Sequence, residues 1–401
     1  LFHIYGRKQN KRLCEITNSS GQSRFIDFDS KDFINFGRIQ ERLIEEGVFL
    51  WMPQAQVLHF KMVAERVLSK FIMAYELTTL GWQVERFFAF ANGAYYKNEF
   101  QEVNKYGIIK LEKETIEVED DEVANIKHFY SPAYSDIYKN SREGDDPYEN
   151  DRSFIYKTAP ISLNKWMAQM CKVYQQKGPI AIAFTFATCF RDIMISRYSF
   201  FPHLFLTGEK DSGKSKFGDS IANFFTYKLK PFDLNTGTKV DFYRRIARIK
   251  NVPVLLEEFH DAIDLVMFQS LKGAYDGRGR EKGTMTTDNR TNISKVNSSC
   301  IIAGQYLSAR DDNSLTSRSI VEHFIKPIPD YSIEQVKQYN ILKEWEEQGL
   351  SSLVLDIVKY RELFEQNFHA AFAENIKKFK KQLLKFDYQE RMLNNYTAIY
   401  T

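Results

Sequence analysis

Cysteine is scarce. The 401 residues hold four, Cys14, Cys171, Cys189 and Cys300, and none sits in a C-x-x-C pair. That spacing excludes a zinc knuckle and a disulfide framework and fits a reducing, cytoplasmic setting. Charge of one sign is missing too: 55 Lys and Arg face 52 Asp and Glu, leaving a net +3. A histone-like polycation is excluded, so affinity for nucleic acid has to come from a local patch. The longest apolar stretch, Ile180 to Phe190, falls short of the ~20 residues that span a bilayer, and no membrane partner is expected. The seven histidines show no spacing such as H-E-x-x-H, which removes a zinc hydrolase. No repeat, low-complexity tract or secretory signal is found, and a start at Leu1 leaves room for an upstream domain.

What is present is an ordinary globular composition, 43% apolar and 27% charged, rich in phenylalanine and tyrosine that fill cores. The length predicts two or three domains. Residues 1–150 read as a mixed α+β domain. A helical rhythm runs from Gln56 to Leu80 and stops at Gly81, and a hairpin turns at Asn92-Gly93. Two acidic runs, Glu112 to Glu122 and Glu143 to Asp151, are solvated faces or linkers, and the second marks a boundary. Residues 151–330 form the next domain. Its helical lead-in starts after Ser162 and breaks at Gly178-Pro179, and from His203 to Phe324 short apolar runs alternate with helices, predicting a parallel sheet. Residues 331–401 read as helix, with Phe372, Ile376, Phe379 and Leu383 in one stripe among lysines.

The most informative segment is Gly208-Glu209-Lys210-Asp211-Ser212-Gly213-Lys214-Ser215, followed by Lys216; it satisfies G-x-x-x-x-G-K-[ST] completely. A strand, Leu204 to Leu206, enters it, and an amphipathic helix leaves with Phe217, Ile221, Phe224 and Phe225. Glycines turn backbone N–H groups inward around phosphates, and the helix N-terminus adds positive charge. Lys214 then reaches the β- and γ-phosphates and Ser215 holds Mg²⁺, so ATP and Mg²⁺ are the expected cofactors. About 40 residues downstream, Val252 to Glu258 supplies a strand ending in two carboxylates. Glu257 is assigned to the metal, where Asp is more usual, and Glu258 to the attacking water.

A third apolar strand, Cys300 to Gly304, ends in Gln305, which either positions the same water or simply ends a strand. Arg318 follows 13 residues later, a place that suits an arginine finger reaching a neighbouring subunit's nucleotide. Between the second and third strands, Gly283 to Thr287 and Thr291 to Ser294 can pair about Asp288-Asn289-Arg290 in a cation-rich stretch. Such a hairpin either grips a phosphate backbone or is a solvated loop. His260, just past the glutamates, sits near the nucleotide or on the surface.

With GEKDSGKS, VLLEE, the basic hairpin, CIIAGQ and LTSRS in that order, the chain resembles superfamily 3 type helicases of the AAA+ class. The likeness covers about residues 160–325 and is closest to the primase–helicase proteins of phages, plasmids and mobile genomic islands. GWQVERFFAFANG looks like the domain preceding the motor in some mobile-element relatives. The resemblance implies an α/β P-loop NTPase core of AAA+ type, a preceding α+β domain and a helical C-terminal region. It implies a ring, usually a hexamer, with ATP between subunits and a hairpin that moves one DNA strand. Carried onto this chain, Lys282, Arg290 and Lys295 touch nucleic acid, Gln305 is the sensor amide and Arg318 the finger in trans. The expected function is an ATP-hydrolysing DNA helicase or translocase of a mobile element or phage-type replication system. Its partners are single-stranded or forked DNA, its own copies and a primase or other replication protein. The alternative is an AAA+ switch or loader that assembles a nucleoprotein complex without unwinding.

Overall fold

The structure, a computed structural model, describes residues 2–6, 9–47, 49, 56–112, 128–139, 147–283, 291–326 and 331–401, with backbone alone at 280–283 and 291–294. The chain divides into two compact units, Leu1–Arg152 and Ser153–Thr401.

In the first unit a six-stranded mixed sheet runs in the order Ser23–Asp29, Lys11–Thr17, Phe2–Tyr5, Ile72–Glu76, His128–Tyr130, Ile108–Lys110. Its helices Phe36–Glu45 and Val57–Leu68 bury Ile39, Leu43, Phe60 and Ala64 against Ile26 and Phe28. The helix expected to run to Leu80 therefore ends at Leu68. Ile72–Glu76 becomes a strand because it has a parallel neighbour on each side, Phe2–Tyr5 and His128–Tyr130, and ladder pairing overrides the helical rhythm. Gly81 lies inside a strand, Leu80–Trp82, instead of stopping a helix. A meander of short antiparallel strands follows, as far as Glu102. Its first hairpin is where the sequence places it, but Phe90 pairs with Gly93, so the turn residues are Ala91 and Asn92. The turn with two left-handed residues comes next, at Lys97 (φ 49°) and Asn98 (φ 65°). Of the acidic runs, residues 113–122 and 143–146 lie outside the described residues.

The second unit is built on five parallel strands, β1 (His203–Gly208), β2 (Phe232–Asp233), β3 (Pro253–Phe259), β4 (Ser299–Gly304) and β5 (Ser319–Phe324), in the order β2-β3-β4-β1-β5. Every residue of β1 and β4 is buried. Continuous apolar runs of this kind arise when helices cover both faces of a parallel sheet. Phe205, Leu256 and Ile302 from the strands pack with Phe242 and Phe268 from helices Lys239–Arg248 and Leu265–Tyr275. β4 lies between β1 and β3, so the C-terminal tips of all three strands reach one edge.

The lead-in helix Leu163–Tyr174 starts after Ser162 as expected, although the Ser162 side chain caps nothing. Gly178-Pro179 opens the next helix, Gly178–Cys189, with proline in its first turn, a position where its missing N–H costs nothing. Trp166 is fully buried 4.4 Å, centroid to centroid, from Phe224 on the helix that follows the glycine-rich loop. Trp166→Ala is expected to cost about 3–5 kcal/mol through the cavity it leaves, read as a lower midpoint in urea unfolding. Helices Ile333–Gln348, Leu353–Val358, Arg361–Gln382 and Glu390–Tyr400 complete the unit; Phe372 is buried, and Phe379 meets Tyr400 at 5.0 Å. Among the described residues no single helix is long and apolar enough to cross a membrane.

Candidate nucleotide site

β1 delivers Gly208 to the sheet edge, where Gly208 N–H (3.2 Å) and the Thr207 hydroxyl (3.1 Å) both donate to the carbonyl of Gln305. The loop is thus tied to the tip of β4 before it turns. Gly208 takes φ 141°, and a Cβ there would run into the Phe324 carbonyl, so no other residue fits. Gly213 (φ 92°) and Asp211 (φ 60°) complete the left-handed turns that open the loop. Glu209, Lys210 and Asp211 stand exposed at its crest, while Ser212 is buried and donates to the Glu209 carbonyl at 2.7 Å.

Lys214 opens the helix Lys214–Phe225, and its ammonium folds into the loop, donating to the carbonyls of Gly208 (2.7 Å) and Glu209 (2.6 Å). Burial pushes its pKa down, against the pull of Glu258 and Asp211. A charge held only by neutral oxygens in a partly dry loop is better satisfied by a phosphate. Ser215 is exposed at the helix start, and Lys216 lies 4.9 Å over the Tyr339 ring.

The tip of β3 shows how two adjacent glutamates serve one site. Alternation along a regular strand would send Glu257 and Glu258 to opposite faces. The register of β3 on β4 instead slips between Leu256 and Phe259, and Glu258 takes φ 57°. This bulge turns both carboxylates into one cavity of about 860 Å³ with Lys214, Ser215, His260 and Gln305. A glutamate held in the left-handed region costs of order 1 kcal/mol or more, and such strain collects at functional sites.

The residues present fit Mg²⁺. The Ser215 hydroxyl and Glu257 carboxylate are hard oxygen donors lining the same cavity, and Mg²⁺ in such sites takes few protein ligands beside phosphate and water. Asp219, one turn into the helix, has its carboxyl raised to about 6 by burial and then by Glu257. Among the described residues no three His, Cys, Asp or Glu are grouped to hold an ion alone.

Gln305 faces the cavity, as does the exposed ring of His260, whose Nε2 lies 3.4 Å from the Asn235 amide oxygen. Tyr331 was invisible to sequence reasoning: its hydroxyl donates to the Ser212 carbonyl at 3.0 Å from 119 positions away. Only the capping box of the helix starting at Ile333 marks its place in the chain.

Arg318 is not in this cavity. It precedes β5 at the end of the sheet opposite the loop, because Ser319 pairs with His203 and Phe324 with Gly208. Six residues of strand separate it from its own loop by about 20 Å. There Nη1 donates to the Ser314 carbonyl at 2.9 Å and the guanidinium lies 5.7 Å over the Tyr275 ring. The basic hairpin is present, with Arg280–Gly283 antiparallel to Thr291–Ser294 and Lys282 opposite Asn292. Its described first strand starts three residues earlier than expected; residues 284–290, Arg290 among them, and the Lys282 side chain lie outside the described residues. Lys295 is exposed at the hairpin's foot.

No family model matches the chain, and no curated protein matches it in sequence. Among solved structures, Cch of SCCmec type IV, an active helicase, aligns with 100% of this chain and 67% of its own at 14% identity, with a TM-score of 0.57. JCV helicase aligns with 59% of this chain and 65% of its own at 15% identity (TM-score 0.28). The C-terminal region of NrS-1 aligns with 99% and 82% at 10% identity (TM-score 0.35). At such identities a likeness speaks for fold, and the Cch alignment, which takes in both units, speaks for it over the whole chain. The chain shares an α/β fold with the Cch helicase structure.

Proposed function

We propose that this chain is an ATP-hydrolysing motor that moves single-stranded or forked DNA, working as a ring of its own copies with six favoured. The observation that carries the reading is the bulge in β3, which sets Glu257 and Glu258 together opposite Lys214 and Ser215. In this reading Lys214 and the loop amides hold the phosphates, and Ser215 and Glu257 hold Mg²⁺. Glu258 orients and polarises the attacking water, and Gln305 steadies it. The description of Cch as an active helicase supports the DNA-directed part, as does the pairing of Arg280–Gly283 with Thr291–Ser294, and Lys282, Arg290 and Lys295 are the proposed contacts. A mobile-element or phage-type setting with a primase or replication partner is part of the same proposal. Strand displacement on a forked duplex tests it: ATP but not a non-hydrolysable analogue should release the strand. Turnover without any displacement would belong instead to a loader that assembles a complex.

Placing Arg318 far from its own loop makes its role in a ring specific. Arg318→Ala is expected to bind ATP within about threefold of the parent and to turn it over about 10³-fold more slowly. Mixing in Lys214→Ala subunits, which keep Arg318, should restore part of the activity. Full turnover by Arg318→Ala alone would remove the finger assignment.

A further inference from the structure

We propose that a second cavity, at the N-terminal ends of the parallel strands, takes the phosphodiester backbone of a nucleic-acid strand; the inference rests on the motor reading above. The cavity measures about 640 Å³ and is lined by Arg191, Asp192, Lys250, Arg278 and Lys295. Arg191 is the most buried of these cations. Its guanidinium is buried, donates at 3.0 Å to the carbonyls of Val296 and Ala274, and pairs with no carboxylate among the described residues. Buried charges are ordinarily paired, so a buried guanidinium held by carbonyls and lining a cavity rimmed by two further cations makes that cavity favourable to an anion.

The neighbouring carboxylate does not fill that seat. Asp192 already accepts from both Nη atoms of Arg361 (3.0 and 2.7 Å), from the Asn251 amide (2.7 Å) and from Lys250 (3.1 Å). Burial lowers the Arg191 pKa to about 10, against the pull of Asp192. At the rim, exposed Arg278 and Lys295 make no ion pair among the described residues and flank the two legs of the hairpin, Arg280–Gly283 and Thr291–Ser294. Among the described residues no aromatic side chain lines the cavity, so these offer a base nothing to stack on. That favours a backbone over a free nucleotide and predicts binding indifferent to sequence.

The test is fluorescence anisotropy of a labelled oligothymidylate of about 20 nucleotides with the full chain, Arg278→Glu, Lys295→Glu and, as a control of equal charge change, Lys381→Glu on the C-terminal helices. Thermal melting checks that each variant folds. Each cleft reversal should weaken binding about tenfold or more and flatten its salt dependence, while Lys381→Glu changes it less than about twofold. Tripolyphosphate at millimolar concentration should compete poorly. Equal losses in all three variants, or none in the cleft pair, would overturn the cleft assignment and leave the motor reading standing. So would tight tripolyphosphate binding with oligonucleotide affinity unchanged by the cleft reversals. A parent that binds no oligonucleotide would remove both.

Discussion

Lys214→Ala is expected to weaken ATP binding by about 100-fold or more and to bring turnover to background. The ammonium is the one cation folded into the loop, and the carbonyls of Gly208 and Glu209 that now hold it are weaker partners than a phosphate. A charge-assisted bond to phosphate is worth roughly twice a neutral one, and in the proposed bound state that bond replaces the two carbonyl contacts. The fold should not suffer, because alanine is a better helix former at the first position of Lys214–Phe225. Calorimetric titration with Mg·ATP, beside a thermal melt, separates these effects: affinity lost with the melting point kept.

Glu258→Gln should behave in the opposite way, binding ATP within about threefold of the parent while turnover falls by about 10³. Glutamine keeps the size and can occupy the same backbone, but it cannot take a proton from water or polarise it. Glu257→Gln differs in kind, since its carboxylate is the one proposed to share the metal with Ser215 and its loss should appear first as a raised Mg²⁺ requirement. A rapid-quench measurement with excess Mg·ATP distinguishes the two. If Glu258→Gln hydrolysed ATP at the parent's rate, the water-activating role would pass to another group at the cavity.

The loop, its strand and its helix were legible because their chemistry is local: three positions demand glycine or lysine, and the flanking apolar runs have short periods. The acidic strand was legible as a strand. What the letters could not show is that Glu257 and Glu258 face one cavity, since alternation predicts the reverse and the bulge arises from pairing with β4. Tyr331 was missed for a similar reason, being carried to Ser212 by packing of the C-terminal helices. The helix predicted to reach Leu80 failed because Phe71 and Ile72 continue a helical rhythm while Ile72 pairs in a sheet. Arg191 gave no signal at all; an arginine beside an aspartate reads as an ordinary ion pair, yet Asp192 is taken by Arg361 and Lys250.

The most direct test of the motor is steady-state ATP turnover with and without single-stranded DNA, with mass read by light scattering on the same sample. The account predicts turnover stimulated severalfold by DNA and a mass several times the 47.1 kDa of one chain. DNA-indifferent turnover by a monomer or dimer would contradict it.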